Sequence, residues 1–305
     1  MVDITAKTNT LRTAIAEARV KVSSPDTIDA IKTNQVPKGN VFEMAKAAGL
    51  LAVKNTAGVI PDCHPLPVEY TAIDYRIDDL LISIQITVKT IYKTGVEVEA
   101  MHGAAITALT MYDMLKPIDK QIEIESIKLI NKKGGKSSFK ETNTDQLTAS
   151  VIVCSDSIYA GKKEDKAGKA IIKKLKESQV NIKHYEIIPD ELEIIRKKTL
   201  EYAGDHNLII FTGGTGLSKR DVTPEALEPI LERRIPGIEE AIRSYGQNRI
   251  PYSMLSRSLA GTIGNCLVLA LPGSTKGAQE SMEAVFPHVL HIFKILKGYQ
   301  HNLNV

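Results

Sequence analysis

Residues Leu208–Leu231 read LIIFTGGTGLSKRDVTPEALEPIL. The unbroken apolar run Leu208 to Phe211 has the pattern of a strand buried on both faces. Gly213, Gly214 and Gly216 follow, with Thr215 among them. Then comes RDVTP, with Asp221, Thr223 and a proline placed for the first turn of a helix. A strand that passes through glycines into a helix start suits a phosphate. Glycine allows close backbone approach and positive φ, and N–H groups at the turn and the helix start face an anion. The spacing is neither GxxxxGK[ST] nor GxGxxG, and GGTG taken alone reads equally well as an ordinary tight turn.

Working outward, LVLALPGSTKGAQESM repeats the strand-to-helix junction with Pro272, Gly273 and Ser274 at its turn. The apolar run Ala149 to Cys154 ends at Ser155 and Asp156, and Ile182 to Ile188 ends at Pro189 and Asp190. Strands alternating with helical runs predict a mostly parallel sheet with helices on its faces, and ligands in such sheets sit outside the carboxyl ends of the strands. Asp190 and Asp221 both follow strands. Carboxylates beside phosphates repel them unless a divalent cation intervenes, and Mg²⁺ takes one or two carboxylates together with phosphate oxygens. The competing reading makes each aspartate a helix N-cap. Cys154 reads as a small buried hydrophobe. A long helix is expected after the strand Cys266 to Leu271.

SDS, IPDE, TGGTG, RDVTPEA and LPGS occur in that order across residues 148 to 300, and in this they resemble the molybdopterin adenylyltransferase family. The resemblance implies a three-layer, Rossmann-like α/β fold that transfers AMP from ATP to the terminal phosphate of molybdopterin, with Mg²⁺ bound and pyrophosphate released. Asp190 and Asp221 match the family's essential aspartates and are the implied metal ligands. Ser155, Asp156, Gly213, Gly214, Thr215, Gly216, Thr223, Pro272, Gly273 and Ser274 are the implied substrate contacts. The alternative is a half that binds molybdopterin without adenylylating it.

The first half is patterned differently. Apolar residues recur at helical spacing from Asn40, a suitable N-cap, to Lys54. Val68 to Tyr92 clusters β-branched residues as the strands of a hairpin or meander do. Val98 to Leu115 is an alanine-rich helical run ended by Pro117, and Ile122 to Ile130 is strand-like. KKGGKSSFKETNTDQ then loses all periodicity, which places one domain at 1–140, a linker at 141–147 and a second domain at 148–305. Asp113 and Lys116 stand three apart on one helix face, ordinarily a surface ion pair of little worth. Glu97 and Glu99 share a side if the backbone is extended and part if it is helical. Adjacent Cys63 and His64 are poorly placed for a dyad with each other, and His64 by itself reads as a structural histidine.

VPKGNVFEMAKAAGL, VIPDCHPLPVEYT, KTGVEVEAMHGAAITALTMYDMLKPID and KKGGKS resemble the cyclic pyranopterin monophosphate synthase family from Val2 to about Lys140. The resemblance implies an α+β, ferredoxin-like domain with an antiparallel sheet and helices. Its implied reaction rearranges 3′,8-cyclo-7,8-dihydro-GTP to cyclic pyranopterin monophosphate with loss of pyrophosphate. Lys38, Asp113 and Lys116 are the implied catalytic residues, with burial of the carboxylate beside an ammonium as a route to tuned proton transfer. Arg12, Cys63, His64, Glu97, Val98, Glu99 and Lys136 are the implied substrate contacts. The chain departs from the family pattern at Val98, where methionine is common, at Asn40, where aspartate is common, and at Asp62, which adds negative charge where an apolar residue is usual. Members of the first family form trimers of dimers and those of the second trimers or hexamers. A threefold homo-oligomer is therefore expected, a hexamer first and a trimer second. A sulfur-insertion step separates the two implied reactions, so fusion does not imply channelling.

Composition agrees with a globular enzyme at 43% apolar and 25% charged residues. The net charge is +3, with no polybasic face in either half, which disfavours nucleic acid and membrane surfaces as partners. The N-terminus lacks the apolar core of a signal peptide and no window is apolar enough to span a bilayer, so a cytoplasmic location is expected. Three distant cysteines offer neither a zinc site nor a disulfide framework.

Overall fold

The computed structural model describes residues 1–135 and 146–298. The chain forms two compact units, Met1–Lys140 and Glu141–Val305. In the first, the order is β1 (Thr10–Lys21), α1 (Pro25–Lys32), α2 (Val41–Lys54), α3 (Thr56–Val59), β2 (Tyr70–Asp78), β3 (Leu81–Tyr92), α4 (Glu97–Leu115) and β4 (Glu123–Lys133). The four strands form an antiparallel sheet in the order β2-β3-β1-β4.

The sequence pattern anticipates α2, the hairpin, α4 and β4 but leaves β1 and α1 unassigned. The reason is visible in the packing. The inward positions of β1 are Ala14, Ala16, Ala18 and Val20, all fully buried, and alternating alanines carry no β signal. They matter because small residues let α4 settle closely on the sheet, where its Ala100, Ala104, Ala108 and Met111 meet Ile82, Ile84, Ile86 and Val88 of β3. Each of these four β3 side chains contributes roughly 1.5–3 kcal/mol by its burial. Helices α2 and α4 touch backbone to backbone at Gly49 and Gly103; a Cβ on Gly49 would lie 2.2 Å from the Thr107 hydroxyl. Asn40 does cap α2, accepting the Glu43 N–H at 3.0 Å.

The second unit runs β5 (Thr148–Cys154), α5 (Asp156–Tyr159), α6 (Ala167–Glu177), β6 (Asn181–Ile188), α7 (Leu192–Ala203), β7 (Leu208–Thr212), α8 (Thr223–Leu227), β8 (Arg233–Arg234), α9 (Pro236–Gln247), β9 (Leu259–Ile263), β10 (Cys266–Leu271), α10 (Thr275–Val285) and α11 (Ile292–Leu296). Its sheet order is β6-β5-β7-β10-β9-β8, parallel through β10 and antiparallel beyond. Alternate residues of each central strand feed two cores. Val151, Ile210 and Leu269 pack under α6, α9 and α10, while Ile152, Phe211 and Val268 pack under α7 and α8. Helices therefore cover both faces, a mostly parallel α/β sheet in three layers. Because β6 and β7 flank β5 on opposite sides, the order reverses there and opens a crevice at the carboxyl ends of β5 and β7.

Two expectations need correction. Leu147, assigned to the linker, is buried in the second core. The long C-terminal helix is instead α10, which stops at Val285; Pro287 lacks the N–H needed to continue it, and a short 3₁₀ turn and α11 follow. Residues 233–263 hold α9 and the two antiparallel strands, none of them anticipated. No helix among the described residues is long and apolar enough to cross a membrane.

Candidate active sites

In the second unit, the crevice at the switch point is occupied by the glycine loop. Gly213 has φ +100° and Gly214 φ +61°. A Cβ on Gly213 would sit 2.1 Å from the carbonyl oxygen of Cys154, and one on Gly214 would collide with Thr223 Oγ1 at 2.3 Å and Asp190 Oδ1 at 2.9 Å. Gly273 lies against Gly213, at 2.9 Å from an added Cβ, and Thr212 Oγ1 donates to Pro272 O at 2.8 Å. The two strand-to-helix junctions thus meet in space, as the sequence suggested.

Carbonyl groups of four successive residues are turned away from the crevice. Gly213 O accepts from Thr223 Oγ1 at 3.0 Å and Gly214 O from Thr223 N at 3.1 Å. Thr215 O accepts from Arg257 N at 3.2 Å and Gly216 O from Arg257 Nε at 2.8 Å. Among the described residues, the N–H groups of Gly214, Thr215 and Gly216 meet no protein acceptor. Carbonyls fixed on one side and free amides on the other make an anion-binding concavity.

Asp190 and Asp221 flank this loop, one beside Gly214 and the other beside Gly216. Neither is a helix cap. Helix α7 has Glu191 and α8 has Val222 at the cap position. Asp156 and Asp190 each accept the other's backbone N–H, at 3.2 and 3.3 Å, and Asp156 also pairs with Arg220. Asp190 Oδ1 is buried with no partner. Burial, then the charges of Asp156 and Asp221, raise the Asp190 carboxyl above the usual carboxylate range. Asp221 Oδ2 accepts Ser218 N at 2.8 Å. Ser155 caps α5 through its hydroxyl at 3.4 Å, and Ser274 caps α10 at 3.1 Å. Thr223 is fully buried beneath the loop. Burial pushes the Cys154 thiol up to about 12, so it is inert as a nucleophile near neutral pH. A cavity of about 230 Å³ opens beside Pro272 and Ser274 and is lined also by Tyr252, Ser253, Ser256 and Lys276.

In the first unit the candidate residues form two groups at opposite ends of α4. At its C-terminus Asp113 accepts from Lys116 Nζ and from Lys38 Nζ, each at 2.7 Å, and Lys38 also reaches the Asp113 carbonyl at 2.9 Å. The expected burial is not found: Asp113 is 52% and Lys116 51% exposed. The two ammonium groups, Lys116 first, bring the Asp113 carboxyl down to about 2, and Asp113 raises Lys116.

At the N-terminus of α4 the helical backbone parts Glu97 from Glu99. Glu97 pairs with Lys132 at 3.2 Å; Glu99 is buried, accepts from Cys63 Sγ at 3.2 Å and leaves Oε2 unpartnered. Burial raises the Glu99 carboxyl and pushes the Cys63 thiol up to about 11. Arg12 donates to Tyr92 O and Lys93 O at 3.3 and 3.4 Å, within the field of Glu97. Val98 is exposed. His64 Nε2 lies 2.8 Å from Val2 O, and Asp62 pairs with the amino group of Met1 at 2.6 Å. Lys136 lies outside the described residues. Sixteen residues of helix separate Glu97 from Asp113, about 24 Å at 1.5 Å per residue.

Residues 1–135 match the model of the MoaC family, and residues 150–291 match one described as a probable molybdopterin binding domain. A molybdenum cofactor biosynthesis bifunctional protein from Chlorobaculum tepidum is 40% identical over 99% of this chain and 96% of its own length. The chain belongs to this bifunctional family of molybdenum cofactor biosynthesis enzymes. A second such protein, from Synechococcus elongatus, is 35% identical over 99% of the chain and 98% of its own length. A cyclic pyranopterin monophosphate synthase from a Nostoc species is 48% identical over 45% of the chain and 82% of its own length. Both halves of the bifunctional enzyme thus have relatives spanning them, in the order read from the motifs.

Arg257, which donates to Thr215 O, Gly216 O and Asp221 O, is the side chain beside the loop that sequence reasoning missed. It is one of 39 basic residues, in a stretch without periodicity or motif, and only the direction of the loop carbonyls marks it out.

Proposed function

We propose that the first unit rearranges 3′,8-cyclo-7,8-dihydro-GTP to cyclic pyranopterin monophosphate and pyrophosphate, and that the second transfers AMP from ATP to the terminal phosphate of molybdopterin, releasing pyrophosphate. The observation that carries the second assignment is the row of unaccompanied amides at Gly214–Gly216 beside the unpartnered Asp190 Oδ1. Amides are donors for phosphate oxygens, and a buried oxygen without a partner fits a divalent cation. Asp190 and Asp221 would hold Mg²⁺; among the described residues no three His, Cys, Asp or Glu side chains group as metal ligands, so phosphate and water oxygens would complete its shell. Bound there, the cation neutralises phosphate charge. The protein's own residues position: the glycine loop fixes the triphosphate, Ser274 and the start of α10 face the terminal phosphate of the acceptor, and the cavity beside Pro272 takes the pterin. Nucleotidyl transfer needs little more than such positioning and charge stabilisation.

For the first unit, Lys38 and Lys116 converge on Asp113 as ammonium groups. They supply charge-assisted contacts to a triphosphate and a proton donor for the rearrangement, while Glu97, Glu99, Cys63, His64 and Val98 contact the purine-derived part and Arg12 and Lys136 the phosphates. The order β2-β3-β1-β4 suits a ferredoxin-like assignment. The separation of about 24 Å between the two groups supports a site completed by a second copy. So do the apolar side chains exposed on α2 and α4, among them Leu51 at 62% and Leu109 at 53%. The expected assembly is a hexamer with threefold symmetry, and light scattering at micromolar concentration checks it; a monomeric mass contradicts it. Unpaired cysteines suit the reducing cytoplasm.

Separate assays of the two activities test the assignments. The chain is expected to release pyrophosphate from Mg-ATP only when molybdopterin is present, and Asp221→Asn to abolish that release while leaving pyranopterin formation intact. A second unit that binds molybdopterin and releases none is a binding module.

A further inference from the structure

We infer that Arg257 is a positioning residue for adenylyl transfer: it locks the glycine loop and the Asp221 turn into one rigid body, without touching substrate itself. The inference rests on the adenylyl-transfer reading of the second unit.

The loop between β7 and α8 runs for ten residues, from Gly213 to Val222. A connection of that length with three glycines has many conformations, and an anion cradle works only when its amides point one way before the ligand arrives. Thr223 fixes the first two carbonyls. The next two depend on Arg257, through its backbone N–H to Thr215 O at 3.2 Å and its Nε to Gly216 O at 2.8 Å. From the same guanidinium, Nη2 donates to Asp221 O at 2.7 Å and Nη1 pairs with Glu225 of α8.

One planar group therefore ties the far end of the glycine loop, the backbone of a proposed metal ligand and the helix beyond it. Arg257 itself is anchored just before β9, whose Leu259 and Ala260 are buried in the two cores. Nε and both Nη atoms each meet a protein acceptor, two on the loop and one on α8, which turns three of the five guanidinium N–H groups onto this segment. Its fork geometry has no equivalent in lysine, which offers one point of charge.

The test uses the full chain with Arg257→Met, Arg257→Lys and Glu225→Gln. Two quantities are measured: pyrophosphate release from Mg-ATP and molybdopterin, and amide hydrogen exchange of the ligand-free protein. Both Arg257 variants are expected to lose kcat by about 10- to 100-fold, the usual cost of removing a residue that orients a metal ligand, with a smaller change in the KM for ATP. Exchange at Ser218, Asp221 and Thr223, whose amides are hydrogen-bonded within the loop, is expected to accelerate while Leu208–Phe211 stays protected. Glu225→Gln keeps the three bonds to carbonyls and is expected to retain both kcat and protection.

Wild-type kcat and exchange in Arg257→Met overturn the inference. A lost kcat with unchanged exchange overturns it too, since Arg257 would then act on substrate directly. Exchange that rises equally in Leu208–Phe211 means general destabilisation and also overturns it. Rescue by lysine overturns the part assigned to the fork geometry. A wild-type chain that releases no pyrophosphate sinks the adenylyl-transfer reading, and the exchange data alone then decide whether Arg257 braces the loop.

Discussion

Lys116→Ala is expected to lower formation of cyclic pyranopterin monophosphate by about 10²- to 10⁴-fold, the contribution of a positioned acid or base, with little change in the melting temperature. The second half of that expectation follows from exposure. The Lys38–Asp113–Lys116 group lies at the surface of the unit, and surface ion pairs contribute little to folding. Asp113 is drawn below its ordinary value by Lys116 and Lys38, to about 2. What stability its ionised form adds is thus present above the unfolded aspartate range near 4 and is lost only as the pH falls toward 2. Lys116 is raised by Asp113, which keeps it an ammonium throughout the neutral range and suits it to donate a proton or bind phosphate. Turnover should therefore show no alkaline limb from this lysine within the neutral range. A pH-rate profile in which activity requires deprotonation of Lys116 would make it a base and reverse its role as proton donor.

Asp190→Asn is expected to reduce pyrophosphate release by roughly 10²- to 10³-fold, the scale found when one preorganised electrostatic group is removed from an active site. The same change should leave the metal-free protein as stable or more stable. In the wild type Asp190 Oδ1 is buried and unpartnered and Asp156 and Asp221 are neighbours, so burial and like charge make the folded carboxyl hold its proton more tightly than a free aspartate does. A carboxyl raised in this way destabilises the fold above its unfolded value and ceases to do so as the pH drops below it. Asparagine keeps an oxygen to accept the Asp156 N–H while removing the charge. The check is a melting curve in chelator beside a pyrophosphate assay. A fall in both melting temperature and activity would assign Asp190 a structural part in the loop, and full activity would dismiss it from the site.

How far such residues can be read before folding is considered differs between the two units. In the second, the runs Ala149–Cys154, Ile182–Ile188, Leu208–Phe211 and Cys266–Leu271 are all strands. In the three central strands, buried on both faces, apolarity is continuous and easy to see, while the edge run Ile182–Ile188 is mixed with polar residues. Because strand ends are where ligands bind, Asp190 and Asp221 follow from the same reading. In the first unit β1 escapes notice. Its buried face is alanine, which serves the close approach of α4 rather than strand propensity, and nothing in the residues themselves announces that.

Sequence alone determined the central strands of the second unit, the two-part organisation and the glycine and aspartate motifs, because hydrophobic period and turn chemistry are local properties carried by adjacent residues. Tertiary structure decided the rest. It parted Glu97 from Glu99 by making that segment helical, exposed the Asp113 group and set it a helix length from Arg12 and Cys63. It also brought Arg257 onto the carbonyls of Thr215, Gly216 and Asp221. Each of these depends on which way a backbone or side chain points after distant segments pack, and no spacing along a single chain encodes that direction.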